Sequence, residues 1–211
     1  MIVVVSGCSY VQVNNIAPGY LDTFKSIKNA LVGFEDNIIT QQLVDQIPYA
    51  SLTLKIGKGP KGLMILESVR DKENTWISAD SIYLVEKNGR IIKTEGLENN
   101  LKTVIIPSFS FKEVMEGALE NLNAYYSYSN PELNNLELKF SYFIQGKEKV
   151  TILDKKLDLT LINEEVRNDY LGWHFTNQYW VDEKFFVWKS IQNISPLIPE
   201  FNIEVTKKPS L

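Results

Sequence analysis

Leu136, Leu138, Phe140, Tyr142 and Ile144 alternate with polar residues without a break, the period of a strand buried on one face. Gln145-Gly146-Lys147 then reads as a turn into Val150 to Leu153, and Leu157, Leu159 and Leu161 alternate again. Tyr179 to Val181, Phe185 to Ile191 and Phe201 to Val205 continue the same pattern. In the first half, Leu52, Leu54 and Ile56 alternate, Gly57 to Gly62 forms a turn, and Leu63 to Val69 returns as the second arm of a hairpin. Tyr83 to Lys87, Asn88-Gly89 and Arg90 to Thr94 give the clearest hairpin, because a type I′ turn needs positive φ at both central residues. Leu101 to Ile106 is a further strand, ended by Pro107.

Helical spacing is confined to shorter stretches. Leu21, Phe24, Ile27, Leu31 and Phe34 recur every three or four residues, predicting an amphipathic helix from Tyr20 to Phe34. Leu43, Val44 and Ile47 form a weaker pattern that Pro48 stops, and residues 111–123 predict a short helix weakened by Gly117. About nine to eleven short strands with turn signals between them predict a mainly β fold. The expected architecture is a single antiparallel β-sandwich or partly open barrel-like domain with short N-terminal helices.

Composition narrows the function. The charge is 22 − 26 = −4 with no basic cluster, so electrostatic binding to nucleic acid is not expected. No later stretch approaches the roughly 20 apolar residues of a membrane helix. Cys8 is the single cysteine, which excludes an internal disulfide. Its setting, Val5-Ser6-Gly7-Cys8-Ser9 after the apolar run from Ile2, resembles the lipobox of a bacterial lipoprotein, in which the thiol is lipidated. Residues 1–8 therefore read as a truncated lipoprotein signal, 9–18 as a polar tether, and 19–211 as a single β-rich domain.

Catalytic chemistry finds little purchase. Gly57 to Gly62 is glycine-rich, but Leu63-Met64 follows where a phosphate loop needs Lys and Ser or Thr. His174 is the only histidine, so no multi-histidine metal site is possible and no cofactor is implied. Glu164-Glu165 and Asp182-Glu183 suggest a glycosidase pair, yet neighbours on a strand point to opposite faces. The aromatic content includes Trp76, Trp173, Trp180 and Trp188; Trp173 and Tyr179 are the candidates for glycan contact.

Longer stretches carry a resemblance. Ile47-Pro48-Tyr49-Ala50-Ser51-Leu52, Trp76-Ile77-Ser78-Ala79-Asp80 and Asn88-Gly89-Arg90-Ile91-Ile92-Lys93-Thr94 occur in that order. Asn177-Gln178-Tyr179-Trp180-Val181-Asp182 and Ser190-Ile191-Gln192 follow near the end. Together they resemble the YjbF/GfcB family of outer-membrane lipoproteins, encoded with group 4 capsule and exopolysaccharide operons; residues 107–135 match poorly. The resemblance implies a protein lipidated at Cys8, held in the inner leaflet of the outer membrane and facing the periplasm, with no catalytic residues. Its implied partners are polysaccharide export proteins or the polysaccharide itself. The competing classes are a periplasmic glycan-modifying enzyme using Glu165 or Asp182, and a carbohydrate-binding module.

Overall fold

Pro48 ends a short helix, and from Ser51 the chain is strand for most of its length. The structure is a computed structural model that describes residues 39–209. Cys8, the tether and the expected helix of residues 20–34 lie outside the described residues. Helix α1 (Gln41–Gln46) is opened by Thr40, whose hydroxyl accepts from Leu43 N at 3.2 Å. A first meander follows: β1 (Ser51–Ile56), β2 (Lys61–Arg70), β3 (Glu73–Ser78), β4 (Tyr83–Lys87) and β5 (Arg90–Glu95). The second begins with β6 (Asn100–Ile105), helix α2 (Phe111–Met115) and β7 (Asn121–Ser129). It continues through β8 (Leu133–Ile152), β9 (Lys155–Asn168), β10 (Trp173–Val181), β11 (Val187–Gln192) and β12 (Phe201–Lys207).

All twelve described strands belong to one antiparallel sheet, ordered β5-β4-β3-β2-β1-β12-β11-β10-β9-β8-β7-β6. Pairing of β1 with β12 joins the two meanders, with Leu54 opposite Ile203. The two edges, β5 and β6, are consecutive in sequence and come side by side. There Leu101 N donates to the Thr94 hydroxyl at 2.9 Å, a side-chain stitch where a closed sheet would have a backbone ladder. The result is a nearly closed barrel, in agreement with the expected fold class.

Alternation sends neighbouring residues to different cores. Met64 faces the interior with Trp76, Leu84, Tyr126, Phe140 and Phe201, whereas Leu63 and Ile65 pack outside against Val44 of α1 and Ile47 just after it. Likewise Tyr179 points inward and Trp180 outward, where it meets Val150, Ile152 and Leu159 from the far end of the β8–β9 hairpin. Burying such side chains contributes about 1.5–3 kcal/mol each, enough to pin that arm to the barrel wall.

Two expectations are corrected. Gln145-Gly146-Lys147 does not turn the chain: β8 runs through it, and a bulge between Ile144 and Gly146, with Gly146 at φ 128°, absorbs the extra residue. The helix expected over 111–123 stops at Met115, because Gly117 at φ 71° leaves the helical conformation. Beyond it, Leu122, Ala124, Tyr126 and Tyr128 alternate as buried residues of β7. Strand β3 adds to the expected count although Glu73, Asn74 and Thr75 show no alternation; flanking strands β2 and β4 pair with it on both sides.

Candidate functional site

The β4–β5 hairpin turns inward and organises the barrel interior. Asn88 and Gly89 have φ of 52° and 82°, the signs of a type I′ turn. Gly89 lies so close to β11 that a Cβ there would stand 2.3 Å from Val187 Cγ2. Gln192 fastens the turn from below: its Oε1 accepts from Ile91 N at 3.0 Å and its Nε2 donates to Gly89 O at 2.9 Å. Asn88 Nδ2 donates to Phe109 O at 3.0 Å, tying the turn to the segment that leads into α2.

From this hairpin Arg90 reaches across the interior to Glu164 on β9. The guanidinium donates from Nη1 to Glu164 Oε1 at 3.0 Å and from Nη2 to Oε2, a bidentate pair between residues 2% and 0% exposed. Arg90 Nη2 also donates to Tyr142 OH at 3.0 Å, and Glu164 Oε1 accepts from Asn177 Nδ2 at 2.7 Å. Phe109 and Phe140 flank the cation, with ring centroids 4.7 and 5.1 Å from Cζ. Burial alone would lower the arginine's pKa; Glu164 and the surrounding tyrosines outweigh it and hold the value well above the ordinary range.

The same surroundings act on the tyrosines. Burial pushes the Tyr126, Tyr142 and Tyr179 hydroxyls up, Arg90 pulls them down and Glu164 raises them again, leaving all three above the ordinary range. In the unfolded chain they ionise near pH 10. Above that pH the folded state therefore holds the extra protons, and stability falls as pH rises. Three such groups remove roughly 4 kcal/mol per pH unit. Alkaline titration should show tyrosinate absorbance for these residues appearing together with loss of near-ultraviolet dichroism. Ionisation well before unfolding would contradict it.

Beside the hairpin the interior opens into a cavity of about 590 Å³. Leu52, Leu84, Ile91, Ile203 and Val205 line its walls together with the indoles of Trp76 and Trp188. Its mouth lies between the β2–β3 turn, with Val69 and Lys72, and the β10–β11 turn, with Lys184 and Phe185. Asp182 shapes the second lip: Oδ1 accepts from Lys184 N and Phe186 N, and Oδ2 from Trp188 Nε1 and Lys208 Nζ, all at 2.9 Å. Burial works to raise its pKa, but these donors prevail and keep the carboxyl below the usual range. Lys208 lies 4.0 Å from the Phe186 centroid and 4.6 Å from that of Trp188, which closes one side of the mouth. Glu86 lines the opposite wall and accepts from Asn74 Nδ2 at 2.8 Å and from Gly89 N. Trp76 Nε1 faces the same carboxylate and favours its charge without closing to a full hydrogen bond. Burial prevails over these donors, so the Glu86 carboxyl titrates above its ordinary range.

Residues 24–206 match the family described as Group 4 capsule polysaccharide lipoprotein gfcB, YjbF. The chain belongs to this family. Two lipoproteins of Escherichia coli K12 are similar to it over most of both chains. GfcB is 24% identical over 181 residues, covering 84% of this chain and 80% of GfcB. YjbF is 24% identical over 164 residues, covering 75% of this chain and 76% of its own. The crystal structure of the hypothetical lipoprotein YmcC from the same organism has the same fold, with a TM-score of 0.70 at 22% identity. The match covers 89% of this chain and 97% of that one.

Within this member of the family, the residues singled out from sequence fall in separate places. Tyr179 is 0% exposed, with its ring 4.7 Å from Phe111 and its hydroxyl 3.4 Å from Glu164 Oε1, so it faces the interior and offers no surface to a glycan. Trp173 is half-buried at the other end of β10, its ring centroid 4.3 Å from that of Phe175. His174 is exposed and lies across the ladder from Arg167. Glu165 is exposed opposite Thr176, whereas Asp182 lies beyond Val181, which pairs with Thr160. Five residues along β9 is about 16 Å at 3.3 Å per residue, and a glycosidase pair must lie within about 10 Å. The fold does not bring those two carboxylates together. Sequence reasoning passed over Arg90, Gln192 and Glu86; the inward hairpin that unites them has only one local signal, Asn88-Gly89.

Proposed function

We propose that this protein is a lipid-anchored, periplasm-facing accessory of capsule or exopolysaccharide assembly that acts by binding and performs no catalysis. Family membership supports the place in capsule assembly, and both curated relatives are lipoproteins. The lipobox-like Val5-Ser6-Gly7-Cys8 supplies the anchor, and Ser9 after the cysteine directs it to the inner leaflet of the outer membrane. The observation that carries the binding reading is the mouth cavity, whose walls are side chains of paired strands and whose one lining carboxylate, Glu86, is engaged with Asn74 and with Gly89 N of the hairpin turn. Rigid concave walls of that kind are suited to recognition. The ligand or partner is the polysaccharide, another component of the export machinery, or an intermediate between them.

Deleting the chain should reduce capsule or exopolysaccharide output, while His174→Ala and Glu165→Gln at normal protein level should leave output unchanged. A catalytic group contributes about 10²-fold or more in rate, so loss of output from either well-folded variant would promote the enzyme reading. Cys8→Ser should release the protein into the soluble periplasm, since acyl chains contribute about 0.8 kcal/mol per buried methylene to anchoring. Continued fractionation of that variant with membranes would remove the anchor from the proposal.

A further inference from the structure

The cavity is mostly hydrocarbon within, with Glu86, Asn74 and Ser190 as polar exceptions, and cationic at its rim. The aliphatic side chains of Leu52, Leu84, Ile91, Ile203 and Val205 offer no hydrogen bond. Sugar hydroxyls held among them would lose their water partners at about 1–3 kcal/mol each. The two lips repeat one arrangement from unrelated parts of the chain. On the β2–β3 lip Val69 is 52% exposed near the exposed Lys72, and on the β10–β11 lip Phe185 is 36% exposed beside the exposed Lys184. Lys189 and Lys208, also at the mouth, are held by Glu204 at 3.5 Å and Asp182 at 2.9 Å. Lys72 and Lys184 form no ion pair among the described residues. Isolated exposed apolar residues are ordinary, but two of them flanking the entrance to an apolar cavity extend its surface outward.

We propose that the mouth binds an amphiphile, a single hydrocarbon chain lying among the aliphatic walls with an anionic head group held between Lys72 and Lys184. This deepens the binding reading given above and rests on it. The cavity's volume of about 590 Å³ is within the usual range for ligand sites, about 300–1,000 Å³. Charge complementarity selects the head: two lysines without an ion-pair partner among the described residues line the same entrance, and a neutral head would leave them as they are. Glu86 keeps the anion at the lips, because its carboxylate stands inside the cavity with Asn74 and Gly89 N as its partners.

The test uses the full chain carrying Cys8→Ser, so that no acyl group of its own competes. Dodecyl phosphate, dodecyl maltoside and inorganic phosphate are titrated below the micellar concentration, followed by tryptophan fluorescence and calorimetry. Dodecyl phosphate is expected to bind with one-to-one stoichiometry, dodecyl maltoside more weakly by on the order of tenfold, and inorganic phosphate not measurably. Changing Lys72→Ala and Lys184→Ala together should remove the preference for the phosphate head while leaving dodecyl maltoside binding and the melting temperature unchanged. Absence of saturable binding, equal affinity for the two heads, or an unchanged preference in the double variant would each overturn the assignment. Failure here with capsule output still dependent on the chain would reject this ligand class alone. Binding as expected, with output indifferent to deletion, would instead reject the accessory role.

Discussion

Glu164→Gln should lower the melting temperature by roughly 6–20 °C. Arg90 and Glu164 are both fully enclosed, and the guanidinium has its two Nη groups on the two carboxylate oxygens. Removing one partner of a buried ion pair typically costs about 3–5 kcal/mol, because the remaining charge is left without compensation. In a chain of this size each kcal/mol corresponds to about 2–4 °C. Glutamine keeps the shape and still accepts hydrogen bonds, so the loss reports charge. Arg90→Met with Glu164→Leu should recover much of the stability, since a buried pair replaced by hydrocarbon of similar volume is often neutral. Thermal and urea unfolding of Arg90→Met, Glu164→Leu and the variant carrying both close the cycle. A Glu164→Gln melting temperature within about 2 °C of the parent would mean that the pair is solvated or unformed.

Gly89→Val should be nearly as severe, for two independent reasons. A β-branched residue at φ 82° carries a strain of about 1–3 kcal/mol. The added Cβ would also collide with Val187 at 2.3 Å, and overpacking of this kind costs a further 1–3 kcal/mol or so. Gly89→Ala separates the terms, since it lacks the branch yet still meets Val187. Val187→Ala in that background should restore part of the loss, as measured by urea midpoint. No restoration would place the hairpin away from β11.

The hairpin at residues 83–94 was legible because its turn is specified by two adjacent residues whose backbone preference is local. Leu136 to Ile144 was legible for the same kind of reason: the alternation lies within one strand. Gly146 misled because glycine signals a turn and a bulge equally, and only the register of β9 opposite it distinguishes the two. Residues 111–123 held a true helical start at Ser110, whose hydroxyl accepts from Glu113 N, followed by strand residues that a helical window absorbs. The site was harder. Arg90 and Glu164 are separated by 74 positions and carry no mark of each other. The mouth draws on β1–β5, the β10–β11 turn, β11 and β12, so no single segment contains its pattern. Tyr179 sits on a well-read strand, and its inward facing followed only once the barrel closed around it.

The place of β1 beside β12 bears on how the ring comes together. Every other neighbouring pair in the sheet joins strands consecutive in the chain, so each meander can grow hairpin by hairpin. The clasp is different: Ser51 and Thr206, whose hydroxyls meet at 2.8 Å, are 155 residues apart. Contacts of such long span are slow to form, because the loop they close must first lose its freedom. A circularly permuted domain, in which a linker joins the end of β12 to the start of β1 and the chain is opened in the 96–99 loop, would turn the sheet into one uninterrupted meander. Its refolding rate, compared with that of the natural order, would measure how much of the barrier belongs to a single pair of strands.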